Sequence, residues 1–442
     1  MENSVFRRLL NKITRSTFGK SVLMLAGGTA FAQFLNIATS PIISRLFSPD
    51  DFGVLSVYTS ILNIVAVFAT LRYEFAIPIA EDDKSAINVL ALTLGSVGLI
   101  SLVSLVVFSF FGDGIANLLN AQPLKPYFWL VSVGILATGI YTAFRYWAFR
   151  KKNFKTITKT TVNQSVAHQA INLLWGFFIG GPIGLIVGTI VGRSAGIWTL
   201  SKDIRKDKTG LLKSISLRET MRLAKRYVKF PLYSSGSGAL NMLGLQLPVL
   251  LLSSYFGTGV TGSFGFANRI LGIPMHLIGA AIGDVFFGEV ASISHSNPER
   301  ILQLSRKLFG RLVLIGLVPF SVLAIFGPWL FSLVFGEVWI DAGVYARILS
   351  LTAFSRLAVT PISRVFNVFE RQKLDMALNA SRAGLVVLVF IFSKGLNLSA
   401  EMTIVLYSLA MTFVYVLTYL LSQSVITAEI RKHKSRSSHS QA

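Results

Sequence analysis

Cysteine is absent from the 442 residues, which excludes disulfides, thiol nucleophiles and Cys-ligated metals. Charge is sparse as well. Asp, Glu, Lys and Arg make up 14% of the chain against 52% hydrophobic residues, too apolar a balance for an ordinary soluble protein. Acids are the scarcer sign, 20 against 42 Lys and Arg, for a formal charge of +22. On a soluble domain that excess would point to nucleic acid. Here the cations are confined to short segments between apolar runs, as topology signals are, so no nucleic-acid partner is expected. The five histidines (His168, His276, His295, His433, His439) show no metal-ligand spacing. Gly19-Lys20-Ser21 ends like a phosphate-binding loop, but Thr14 stands where its first glycine is needed. Neither ATP hydrolysis nor any cofactor is expected. No outward loop exceeds about fifteen residues, which leaves no room for a catalytic domain on that face, and the chain is not expected to be an enzyme.

Apolar runs near twenty residues, the length that crosses a hydrocarbon core as helix, occur twelve times. They cover 21–46, 52–75, 86–111, 127–148, 161–180, 183–200, 231–255, 262–287, 308–335, 344–366, 376–393 and 402–427. Ala30-Phe31-Ala32 imitates a signal-peptidase site, yet apolar sequence continues past it to Phe47, so the first span is read as uncleaved. Charge tests this map. Segments 1–20, 72–84, 145–159, 193–229, 300–311, 364–382 and 431–436 hold 36 of the Lys and Arg. The other side and the span interiors hold six: Arg45, Lys125, Arg269, Arg347, Arg356 and Lys394. That asymmetry places both termini in the cytoplasm.

The only long polar stretch between the ends is 201–229, with ten basic and three acidic residues. Its second half predicts a helix. Ser216 and Glu219 form a capping-box pair, and Leu217, Met221, Ala224 and Val228 recur at helical spacing between cations, as in a helix lying among headgroups. The expected organisation is therefore a six-span lobe over 1–200, a basic cytoplasmic connector over 201–229, and a second six-span lobe with a basic tail over 230–442. The fold class is all-α. Phe47-Ser-Pro-Asp-Asp-Phe-Gly53 parallels Phe256-Gly-Thr-Gly-Val-Thr-Gly262, and Phe111-Gly112-Asp113 parallels Phe335-Gly336-Glu337. Two copies of six spans share an orientation and would be related by a pseudo-two-fold axis along the membrane normal. Gly176, Gly180, Gly184, Gly188, Gly192 and Gly196 recur every four residues, the spacing of a close helix-packing face.

Polar groups inside spans are costly, so each needs a partner, water or a function. Arg356 lies mid-span, Arg269 inside the outer end of the eighth run and Asp284 toward its inner end, while Arg72 and Glu74 end the second. No acid within its own run neutralises Arg356, which favours a functional reading. Arg72 with Glu74 reads equally as a structural pair. Arg145, Arg193 and Arg364, at inner ends, are expected to snorkel to headgroups. Gln33, Asn36, Asn241 and Gln246 give two helices amide faces, expected mainly to bond neighbouring helices. Pro41, Pro248, Pro274, Pro319 and Pro361 should kink their spans.

The run RLFSPDDFGVLSVYTSILNIVAVFATLRYEFAIPIAEDDKSA (45–86) resembles the start of the bacterial polysaccharide flippases, the O-antigen and exopolysaccharide translocases. FGTGVTGSFGFANRILGIPMHLIGAAIGDVFFGEVA (256–291) resembles the opening of that family's second lobe. The resemblance implies a member of the multidrug/oligosaccharidyl-lipid/polysaccharide exporter superfamily. Such a protein carries polyprenyl-diphosphate-linked oligosaccharide across the bacterial inner membrane by alternating access. Membrane lipid, a polysaccharide polymerase and chain-length machinery are its implied partners. It also implies cationic cavity residues that receive the diphosphate. Arg72 and Arg269 match positions where the family carries arginine; Arg356 rests on the physical argument alone. Glu74 and Asp284 are the candidate ion-coupling acids. A multidrug or cation exporter should carry acids deep in its first lobe, and the first span here has none. A lipid-linked peptidoglycan precursor remains an alternative substrate.

Overall fold

Two short hinges of sequence chemistry begin the first long helices. Ser48 caps the helix that Pro49 opens, its hydroxyl accepting from the Asp51 amide while the Asp51 carboxylate accepts from the Ser48 amide. Asp82 does the same work for the next helix, accepting from the Ser85 amide at 2.7 Å. The computed structural model describes residues 17–205, 210–293 and 298–439. The basic residues Arg7, Arg8, Lys12, Arg15, Lys20, Lys206, Lys208, Lys434 and Arg436, used above for topology, fall outside that description or carry undescribed side chains, and so do His276, His295 and His439.

Among the described residues the structure is helical throughout, without a strand. Besides single turns, the helices are α1 (Thr17–Leu46), α2 (Pro49–Ala69), α3 (Asp83–Leu118), α4 (Phe128–Arg150), α5 (Phe154–Phe178), α6 (Pro182–Ser194) and α7 (Ile197–Arg205). They continue with α8 (Leu217–Arg226), α9 (Ser235–Leu271), α10 (Ala280–Ile293), α11 (Pro298–Phe335), α12 (Ile340–Val359), α13 (Gln372–Gly395) and α14 (Ala400–His439). Among the described residues, eight helical stretches are long and apolar enough to cross a membrane. Expected spans at 161–180 and 344–366 form helices but are not among the eight, because they carry amides, hydroxyls and arginines, and 21–46 forms a helix whose first side chains lie outside the described residues. The seventh and eighth runs join in α9 across a break at Gly257, whose φ of 81° places it in the left-handed region. Large apolar side chains face outward along the long helices, Phe110 at 80% exposure among them, as only a lipid surround permits. This is a multi-pass membrane protein.

The chain divides into two compact units, 1–246 and 247–442. In the first, α1 packs on α5, α5 on α6, α3 on α4, and α2 on α4 and α6. Gly180 and Gly181, both at positive φ, make the tight turn that lets α6 fold straight back along α5. The glycine row then does what its spacing predicts. A Cβ at Gly184 would strike the Trp175 ring, one at Gly188 the Asn172 amide, and one at Gly192 the His168 side chain. In the second unit α11, α12, α13 and α14 pack together, over a core that includes Phe286, Val290, Phe366 and Ile426.

Each unit gathers its basic connections at one end. In the first, Arg150 and Lys151 both bind Asp83, and Arg226 binds Glu81, bringing 72–84, 145–159 and the connector together. In the second, Arg364 pairs with Asp284, Arg300 with Glu289, and Arg371 with Glu429.

Candidate functional site

Helix α2 ends at Thr70, and the next two residues, Leu71 and Arg72, both take left-handed conformations at φ 48° and 61°. No glycine stands there, so the turn is strained and the neighbours must hold it. It swings the Arg72 guanidinium onto the Phe75 ring, 5.5 Å from its centroid, and within 3.8 Å of the Glu74 carboxylate. Gly238 in α9 lies directly under that guanidinium, where any Cβ would collide with it. The ion pair is loose. Arg72 Nε and Glu74 Oε2 are both buried without a hydrogen-bond partner, and Glu74 is only 3% exposed.

The other acid is placed differently. Asp284 has a side chain 73% exposed and pairs with Arg364. Glu74, in contrast, is enclosed by its own unit. Arg269, near the end of α9, and Arg356, in α12, are half-buried, and neither is in an ion pair among the described residues. Both acids that might have neutralised them are paired with other arginines.

Two further cations depart from their expected placement. Arg193 does not snorkel. At the end of α6 it turns inward, donating from Nη2 to Asn63 Oδ1 of α2 at 2.8 Å and from Nη1 to Thr138 Oγ1 of α4 at 3.3 Å. The close glycine packing of α6 brings those neutral acceptors within reach. Arg382 belongs to a stretch counted as an inner connection, yet it sits in the third turn of α13, over the Tyr415 ring at 5.2 Å, with Nε buried and unpartnered. Its signal was the apolar run that follows it. Arg145, in contrast, is exposed as snorkelling requires.

The interior amides mostly join helices. Gln169 Nε2 of α5 donates to Asn36 Oδ1 of α1 at 2.6 Å, and Ser60 of α2 donates to Gln246 Oε1 at 2.9 Å. Chemically, then, the first unit offers Arg72 beside the Glu74 carboxylate and Arg193 beside neutral polar groups, and the second offers Arg269, Arg356 and Arg382. Among the described residues no cluster of His, Asp and Glu could hold a metal.

Comparison with known proteins agrees in kind. The chain is 24% identical over 354 residues to a succinoglycan biosynthesis transport protein, ExoT, of Rhizobium meliloti strain 1021, a match covering 79% of this chain and 67% of that protein. Among solved structures it is similar to an inward-facing multidrug resistance transporter of the MATE family, with a TM-score of 0.74 at 14% identity, covering 92% of this chain and 96% of the other. It is similar too to the lipid II flippase MurJ in an inward closed conformation, with a TM-score of 0.70 at 13% identity over 93% and 92% of the two chains. Those structural likenesses establish the fold. A family model described as polysaccharide biosynthesis protein matches residues 42–344, and the chain belongs to that family.

Proposed function

We propose that this protein is a flippase that carries polyprenyl-diphosphate-linked oligosaccharide from the cytoplasmic to the outer leaflet of a bacterial inner membrane, for surface polysaccharide synthesis. Twelve spans in two six-helix lobes and an alternating-access cycle complete the reading. One observation carries the choice of an anionic cargo. Arg269 and Arg356 stand within helices of the second unit, and no carboxylate neutralises either among the described residues. A cation kept inside a span is costly unless paired, hydrated or reserved for a ligand, and a diphosphate is the ligand that an arginine fork suits. Within the same unit Arg382 adds a third interior cation, its Nε buried and without a hydrogen-bond partner. Membership of the polysaccharide biosynthesis family supports the class of cargo.

The test is export of surface polysaccharide by Arg269→Ala, Arg356→Ala and the double variant, in cells lacking the native gene, with membrane protein quantified in parallel. The double variant should export nothing at normal protein level. Arg→Lys should restore part of the export if charge alone steers the cargo, and little if the bidentate fork is needed. Full export by the double alanine variant would overturn the proposal.

A further inference from the structure

The connector helix α8 has two apolar sides, and the first unit uses only one. Leu223 is fully buried in a core with Ile77, Ala86, Leu90 and Trp147. Beside it, Asn88 of α3, 1% exposed, grips the start of the helix. Its Nδ2 donates to the Ser214 carbonyl at 3.0 Å, and its Oδ1 accepts from the Ser216 amide at 3.0 Å and the Thr220 hydroxyl at 3.1 Å. Tyr73 donates to the Ala224 carbonyl at 3.4 Å, and Arg226 pairs with Glu81 at 2.7 Å. A helix held at both ends cannot roll, so its opposite side is fixed outward.

That outward side is itself apolar and basic. Leu217 and Met221, one turn apart, are 73% and 57% exposed, and Leu212, Ile215 and Val228 continue the edge. Lys213, Arg218, Lys225 and Lys229 are exposed around it and join no ion pair among the described residues. Arg222 and Arg226 are already engaged by Glu219 and Glu81. The location is equally specific. Asn88 lies in the second turn of the span α3, and Phe230, four residues past α8, opens another apolar stretch. The helix therefore sits where spans leave the hydrocarbon.

We propose that this face docks on anionic phospholipid. Leu217 and Met221 enter the boundary between headgroups and acyl chains, while Lys213, Arg218, Lys225 and Lys229 bind headgroup phosphates. Charge complementarity selects an anionic partner, and the exposed leucine and methionine at the level of the span ends select a lipid surface over a nucleic acid. Because Tyr73 directly follows Arg72, the docked helix also buttresses the strained turn that carries that arginine.

The natural absence of cysteine supplies the experiment. Full-length protein with Met221→Cys is labelled with the environment-sensitive dye NBD and placed in nanodiscs of phosphatidylcholine, with or without phosphatidylglycerol. With phosphatidylglycerol the emission should shift to the blue and be quenched by brominated acyl chains. Each cation near such a surface strengthens attraction about fivefold, so changing Lys213, Arg218, Lys225 and Lys229 together to Gln should abolish the dependence on phosphatidylglycerol. Water-like, unquenched emission in the anionic discs would overturn the proposal. Equal quenching in both lipids would also overturn it, since the face would then dock without reading headgroups. The lipid comparison uses the native charges, so it stands even if the quadruple variant folds poorly.

Discussion

At the scale of single residues, two arginines at neighbouring helix ends point in opposite directions. Arg193 and Arg145 both lie near proposed helix ends, yet one turns inward to Asn63 and Thr138 while the other faces out. Only the packing of α6 on α2 and α4 decides between them. Arg193→Ala should therefore act on stability before function, because it removes two charge-assisted bonds that tie three helices. The expected loss is about 2–4 kcal/mol. It would be read as a lower unfolding temperature in detergent, with Arg193→Lys recovering part. An unchanged unfolding temperature would show that the tie contributes nothing. Arg72 was equally opaque: nothing in Leu71-Arg72 signals a left-handed turn, since neither residue is one that favours it.

At the scale of elements, the glycine spacing was legible where Gly184, Gly188 and Gly192 recur every four residues within α6, which puts them on one face. Gly188→Ala should be the most damaging exchange in that row, since the new methyl meets the Asn172 amide, itself hydrogen-bonded to His168. Overpacking of this kind costs about 1–3 kcal/mol, seen again as a drop in unfolding temperature. The connector was half legible. Ser216 caps α8 as its sequence predicts, but the buried anchor is Leu223, outside the stripe of Leu217, Met221 and Val228. Two apolar edges on one short helix cannot be ranked without knowing what lies beside them. The pair that fastens its far end also gives a pH prediction. The hydrogen bond from Arg226 holds the Glu81 carboxyl below its usual range. A lowered folded value means the contact is present at neutral pH and is lost only as pH falls below the ordinary glutamate range. A spin label at Lys225→Cys should be immobile at pH 7 and gain mobility only in that acid range. Glu81→Gln should make the label mobile already at pH 7. A label equally immobile in both proteins would dismiss the pair as a fastening.

At the scale of the whole molecule, the charge map was the most informative reading, because topology is written in short basic loops rather than in packing. The acid–base pairs gather those loops at one end of each unit. A reporter inserted after Lys208 should accordingly read cytoplasm and one at Asn120 the outside, and a common side for both would refute the map. Energy supply is the remaining question at this scale. We propose an ion gradient as the energy source. The two candidate acids now separate. Asp284 is exposed and tied to Arg364, whereas Glu74 is shut from solvent beside a loosely held Arg72, with one carboxylate oxygen unpartnered. An ionised carboxyl in that position is costly, and a bound proton relieves the cost. In sealed vesicles, Glu74→Gln should therefore lose accumulation driven by a proton gradient while retaining slow equilibration of cargo. Asp284→Asn should keep most of the driven transport. Driven transport by Glu74→Gln at the native rate would remove Glu74 from the mechanism, and transport that survives collapse of both proton and sodium gradients would remove ion coupling altogether.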